Sequence, residues 1–212
     1  RIYDMPLAPW NGTWQLLLFP EGAISQEARE NLRRELHWEG FAPLAPGVYA
    51  HPSADTGRIQ EVLAAHKAQA KIAHLTAASL EDQSPTPLRD IVRHSWRLDE
   101  IADGYRRFIA HFEPMLDWAE SAGEAHSQQL FLLRTLLIHE FRRVQLRDPQ
   151  LPDTLLATNW PGHTARALCK RIYEIALPGS EDYLCRTLQT KDGPLPPADN
   201  SLLQRFQILQ AT

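Results

Sequence analysis

The sequence predicts an α+β protein in two parts, a ferredoxin-like β-α-β-β-α-β domain over residues 10–84 and an all-α domain over residues 85–212. Two observations carry this reading. Through the first eighty residues, short apolar runs of strand length alternate with stretches of helical spacing, each bounded by turn residues. Beyond Ser84-Pro85-Thr86-Pro87, which reads as a linker, the apolar residues recur at helical spacing only. A length of 212 residues suffices for one large domain or two small ones.

Taken in order, the chain opens at Arg1 without an initiator Met or a signal-peptide pattern and reads as a fragment whose N-terminus has been removed. Thr13 to Phe19 (TWQLLLF) is an apolar run of strand length ended by Pro20. Ser25 offers a side-chain cap for a helix through Trp38, with Ala28, Leu32, Leu36 and Trp38 near one face and Gly40 as its stop. Phe41 to Leu44 and Val48 to His51 flank Ala45-Pro46-Gly47 as a hairpin. A second helix, Thr56 to about Ala68, carries Ile59, Val62 and Leu63, and Lys71 to Thr76 supplies the last strand. That order of elements is the split βαβ arrangement.

In the second part, Leu88 to His94 and Leu98 to Ala122 supply one or two helices, with Tyr105, Phe108, Ile109 and Phe112 clustered. A long helix follows from Ala125 to Arg147, ended by Asp148-Pro149. Gln150 to Gly162 reads as irregular. A helix from Thr164 to Leu177 is broken by Pro178-Gly179, and Ser180 to Gln189 forms a last helix before the Gly/Pro-rich Asp192 to Asn200.

Composition excludes several functions. A formal charge of −4 argues against phosphate-driven nucleic-acid binding by the chain as a whole. The basic pairs Arg33–Arg34, Arg106–Arg107 and Arg142–Arg143 are short enough to be solvated helix faces. Cys169 and Cys185 lack metal-ligand spacing and fit a reducing, cytoplasmic setting. The longest apolar run, Leu130 to Ile138, is interrupted by Arg134 and falls short of a membrane span. His139-Glu140 begins like a zinc-protease helix, but the position four after His139 is Arg143. No Gly-x-Ser-x-Gly elbow is present, and no catalytic residue is assigned.

Several long motifs resemble one family. Leu137-Ile138-His139-Glu140-Phe141-Arg142-Arg143 with Arg147-Asp148-Pro149-Gln150-Leu151-Pro152, and Asn159-Trp160-Pro161-Gly162-His163-Thr164-Ala165-Arg166, resemble PaaX-family signatures. Trp10-Asn11-Gly12-Thr13-Trp14, Trp38-Glu39-Gly40-Phe41-Ala42-Pro43-Leu44 and the tail Gly193-Pro194-Leu195-Pro196 with Gln204-Arg205-Phe206 resemble the same family in the same order. The resemblance implies a repressor of phenylacetate degradation operons. Such a repressor has an N-terminal winged helix, a Cas2-like central domain and a helical C-terminal domain, and it releases operator DNA on binding phenylacetyl-CoA. On this resemblance the winged helix is absent from these residues, Arg1 to Pro9 looks like the linker after it, and DNA binding is assigned to the parent protein. The expected partners are an acyl-CoA effector and a second copy of the chain in a homodimer, with no membrane and no cofactor.

On that reading the ligand site draws on His139, Arg142 and Arg143 of one helix and on His163 and Arg166 at the start of the next. Arg forks and helix N-terminal N–H groups suit the phosphates of a CoA thioester. Trp160, Phe141, Tyr105 and Phe108 are the candidates for an apolar pocket around the acyl end. The competing reading gives Arg142, Arg143 and Arg147 only ion pairs and helix C-terminal duty. The Cas2-like resemblance also raises a metal-dependent nuclease, for which Glu21 after the first strand is the lone nearby carboxylate. A repressor answering another acyl-CoA is a further alternative.

Overall fold

The computed structural model describes residues 10–78, 85–191 and 193–196. The expected linker at residues 1–9 and the segment from Pro197 onward lie outside the described residues. The described chain falls into two compact units. One holds residues 10–99 together with Asp148–Thr158, the other Glu100–Arg147 and the chain from Asn159. Pro85–Ser95 and Asp148–Thr158 are thus grouped with the sheet.

In the first unit the elements run β1 (Thr13–Leu18), α1 (Gln26–Trp38), β2 (Ala42–Ala45), β3 (Val48–His51), α2 (Thr56–Ala65), β4 (Ala73–Ala78) and α3 (Pro85–Ser95). The strands form one sheet in the order β2-β3-β1-β4, every neighbouring pair antiparallel. Ser25 caps α1 by accepting a hydrogen bond from the Ala28 N–H at 3.3 Å, and Asp55 caps α2 through the Gly57 N–H at 2.9 Å. Leu17 and Phe19 of the first strand run meet Leu32 and Leu36 of α1 and Ile59, Val62 and Leu63 of α2 in the core. Strand alternation turns Trp14 to the opposite face. There it packs against Trp10 and Trp96, at 5.2 and 6.0 Å between ring centroids.

Gly40 closes α1 at φ +89°, and its carbonyl accepts the Trp96 indole N–H at 2.8 Å. Trp38 is not part of the buried face; it is 69% exposed. At 100° per residue it lies about 200° around the helix from Leu36, which explains the departure. Helix α3 begins at Pro85, inside the stretch read as a linker. Pro is accommodated in a first helical turn, where its missing N–H has no partner to lose. Ser84 is outside the described residues.

The second unit is built on α4 (Leu98–Phe112), α5 (Pro114–Ser121), α6 (Ser127–Gln145) and α7 (Pro161–Thr187). The stretch from Leu98 to Ala122 is two helices because Pro114 cannot continue the ladder and instead starts α5. The predicted break at Pro178-Gly179 does not occur, and α7 runs through it for 27 residues. Three contacts account for this. The Ser180 hydroxyl donates to the Ala176 carbonyl at 2.6 Å, shoring up the helix beside the proline. Arg134 of α6 pairs with Glu181 at 2.6 Å, past the proline. Gly179 faces Leu130 so closely that a Cβ there would sit 2.5 Å from its Cδ1. Packing along α6 thus overrides the local propensity for a break. The second half is not wholly helical either: β5 (Gln189–Thr190) and β6 (Gly193–Pro194) pair as a small antiparallel ribbon. The stretch read as irregular contains a single 3-10 turn at Asp153–Leu155, and α7 begins three residues earlier than expected, at Pro161.

Candidate functional site

An aromatic cluster lies at the junction of α4, α6 and the start of α7. Tyr105 and Phe108 are three apart on α4 and share a face. Tyr105 meets Phe141 of α6 at 6.3 Å and stands edge-on to Trp160 at 6.1 Å, while Phe108 lies 5.4 Å from Phe141. Tyr105 is almost wholly buried, and Phe108, Phe141 and Trp160 are buried around it. The close approach rests on Gly162: a Cβ there would fall 2.5 Å from the Trp160 indole nitrogen and 3.1 Å from Cε2 of Tyr105. Gly104, one residue before Tyr105, serves α4 similarly, with a Cβ position 3.0 Å from Val144.

Trp160 is also the N-cap residue of α7, with φ −58° and ψ 117°. No side chain caps this helix start, and its first turn carries no acid. The His163 N–H bonds the Trp160 carbonyl at 3.4 Å, a weak closure of the turn. A helix start of this kind keeps a partial positive charge that favours anions. Arg166 follows Gly162 by one turn and so shares its face. It is half-buried and forms no ion pair or hydrogen bond with the described residues. Its charge acts on Cys169, whose thiol burial nonetheless pushes up to about 12.

The expected site residues separate in the structure. Tyr105, Phe141, Trp160 and Phe108 come together, and Arg166 shares the Gly162 face beside them. His139 and Arg143 do not join them. They sit about 160–200° around α6 from Phe141, and both are largely exposed. Arg143 is taken up by Glu140, with its Nη1 3.0 and 2.9 Å from the two carboxylate oxygens, as the ion-pair reading foresaw. Arg142 is exposed about 100° from Phe141, and His163 is exposed in the first turn of α7. The contribution of Gly162 and Gly104 was not anticipated; a glycine inside a helical pattern next to aromatic residues was the available signal. Among the described residues, no cluster of three or more His, Cys, Asp or Glu side chains is arranged to hold a metal ion. No described helix is long and apolar enough to cross a membrane.

Two family profiles match in tandem, the PaaX protein central Cas2-like domain over residues 7–108 and the PaaX-like protein C-terminal domain over residues 96–186. The chain is also 34% identical to the transcriptional repressor PaaX of Escherichia coli (strain K12) over 207 residues. This chain belongs to the PaaX family. The match takes in 97% of the chain but 65% of the repressor's length. Among solved structures, the uncharacterized protein Rv0674 from Mycobacterium tuberculosis matches with a TM-score of 0.53 and 23% identity, over 81% of this chain and 63% of that one. At that identity the likeness concerns the fold alone. The aromatic cluster and Arg166 all fall inside the C-terminal match, and Tyr105 and Phe108 lie in the stretch it shares with the central one.

Proposed function

We propose that this chain is the effector-binding and dimer-forming region of a transcriptional repressor of phenylacetate catabolism, whose DNA-binding winged helix belongs to the parent protein. The ordered similarity to the Escherichia coli repressor across nearly the whole chain supports that reading. The central domain is of the ferredoxin-like, Cas2-like kind, a reading supported by the family match and by the strand order β2-β3-β1-β4. The effector is phenylacetyl-CoA, taken up where α7 starts. The observation that carries this is a half-buried Arg166, without a partner among the described residues, one turn beyond an uncapped helix start whose cap residue belongs to a buried aromatic cluster. Phosphate oxygens of the CoA engage Arg166 and the first N–H groups of α7, with His163 at the rim and Arg142 within reach of a long ligand. The acyl ring lies against the outer edge of the aromatic cluster at Trp160. Such a ligand acts on DNA binding only if the dimer has two arrangements that it binds unequally.

Isothermal titration of the chain with phenylacetyl-CoA, phenylacetate, CoA and acetyl-CoA tests the assignment. Selective binding of phenylacetyl-CoA, weakened at least tenfold by Arg166→Gln, is the expected result. Equal binding of all four, or binding indifferent to Arg166→Gln, refutes the site.

A further inference from the structure

The sheet-containing unit holds a second feature of a different kind. An open groove of about 310 Å³ lies between α1 and the β2–β3 turn. Its walls include Arg29 and Arg33 of α1, Pro43 and Leu44 of β2, Pro46 of the turn and Tyr49 of β3. The two arginines are four apart, so one helix face delivers both guanidinium groups. None of the lining residues is acidic, and two positive charges therefore stand together in a chain of net charge −4.

The two arginines are held differently. Arg29 is fixed: one Nη donates to the Pro20 carbonyl at 2.9 Å, and its guanidinium lies 5.7 Å from the centre of the Phe19 ring. Arg33 is exposed and has no hydrogen bond or ion pair with the described residues. The opposite wall is rigid. The Phe19 N–H bonds the Gly47 carbonyl at 2.7 Å, and Gly47 sits at φ +75°, where a Cβ would meet the Phe19 carbonyl oxygen at 2.9 Å. The Tyr49 ring packs 4.8 Å from Phe19, and its hydroxyl bonds no described residue. Leu44 is exposed although it is large and apolar.

We propose that this groove is a binding site for a small carboxylate with a flat apolar body, separate from the aromatic cluster of the helical unit. A carboxylate matches the fork geometry of guanidinium, and Arg29 is already oriented to donate. The Tyr49 hydroxyl adds a neutral donor. Pro43, Leu44 and Pro46 offer an apolar surface for a ring or short alkyl body. The volume sits at the lower end of the range for ligand pockets, about 300–1,000 Å³, which suits a small acid better than a nucleotide.

Benzoate, inorganic phosphate and benzamide serve as probes in an amide NMR titration of the whole chain. Benzoate is expected to shift the amides of Leu44, Ala45 and Gly47 saturably. Benzamide, the same body without charge, is expected to leave them in place. Arg33→Gln, at an exposed side chain without a partner among the described residues, is expected to weaken benzoate about tenfold or more with the melting temperature unchanged. Arg34→Gln, on the same helix but outside the groove, is expected to bind as the parent does. Absence of a saturable shift, or full binding by Arg33→Gln, overturns the site. Phosphate binding as tightly as benzoate overturns the carboxylate assignment, since the apolar wall would then contribute nothing.

Discussion

Replacing Gly162 by alanine tests whether the start of α7 is as tightly packed as its geometry states. The added methyl would lie 2.5 Å from the Trp160 indole nitrogen, 2.9 Å from its Cδ1 and 3.1 Å from the Tyr105 ring. Carbon contacts settle at about 3.5–4.0 Å, so the indole must retreat by roughly 1 Å. Both rings are buried, Tyr105 almost completely, so neither retreats freely into solvent. Overpacking of this kind costs about 1–3 kcal/mol, against a gain of about 1 kcal/mol for replacing a helical glycine. The net expectation is a loss of about 0–2 kcal/mol. For a chain of this length each kcal/mol moves the melting temperature by about 2–4 °C, giving a fall of up to about 8 °C. Calorimetry measures the fall, and fluorotryptophan NMR, with Trp160 assigned through a Trp160→Phe variant, reports the displaced ring. Gly123→Ala is the control, because a Cβ there meets nothing within 4 Å. A Gly162→Ala protein more stable than the parent, with the Trp160 resonance unmoved, would refute the packing argument.

Three further outcomes are expected. Arg166→Gln should leave the stability within about 0.5 kcal/mol of the parent, since no partner among the described residues is lost, while weakening phenylacetyl-CoA by calorimetric titration. Gly40→Ala should cost about 2 kcal/mol or more in urea unfolding. It forces an alanine to φ +89° and sets a methyl 2.8 Å from Nε2 of the buried His51. Burial raises the Cys169 thiol from 9.0 to about 12, so the folded state holds a proton that the unfolded state releases. The resulting stability is fully present below pH 9 and is lost as pH rises toward 12; Cys169→Ala should flatten that decline in denaturant midpoints, and an equal slope in both proteins would contradict it.

The sheet unit was legible because its signals are local. Ser25 announces a helix, Pro46-Gly47 a turn, and Leu32 with Leu36 a buried face, each within a few residues of its effect. What failed there needed geometry rather than composition. Trp38 is apolar and close in sequence to Leu36, yet two residues of helix turn it to solvent. In the helical unit the misreading at Pro178-Gly179 has the same root. The pair breaks helices in isolation, but Arg134, Leu130 and Ser180 hold this one, and two of those residues lie more than forty positions away.

The candidate site was half legible for a related reason. The resemblance drew attention to two motifs, but a motif treats neighbours in sequence as neighbours in space. On α6, Phe141, Arg142 and Arg143 are consecutive and therefore point in three directions. Only Phe141 reaches Tyr105, while Arg143 turns away to Glu140. The start of α7 behaves differently because Trp160 precedes the helix and folds back over Gly162, which brings it to Arg166's face. Arg166 is half-buried and pairs with none of the described residues, so desolvation penalises its charge in the protein alone. An anionic ligand relieves that penalty. That unfavourable placement, rather than the arginine-rich motif on α6, is the stronger physical argument for where an acyl-CoA would bind.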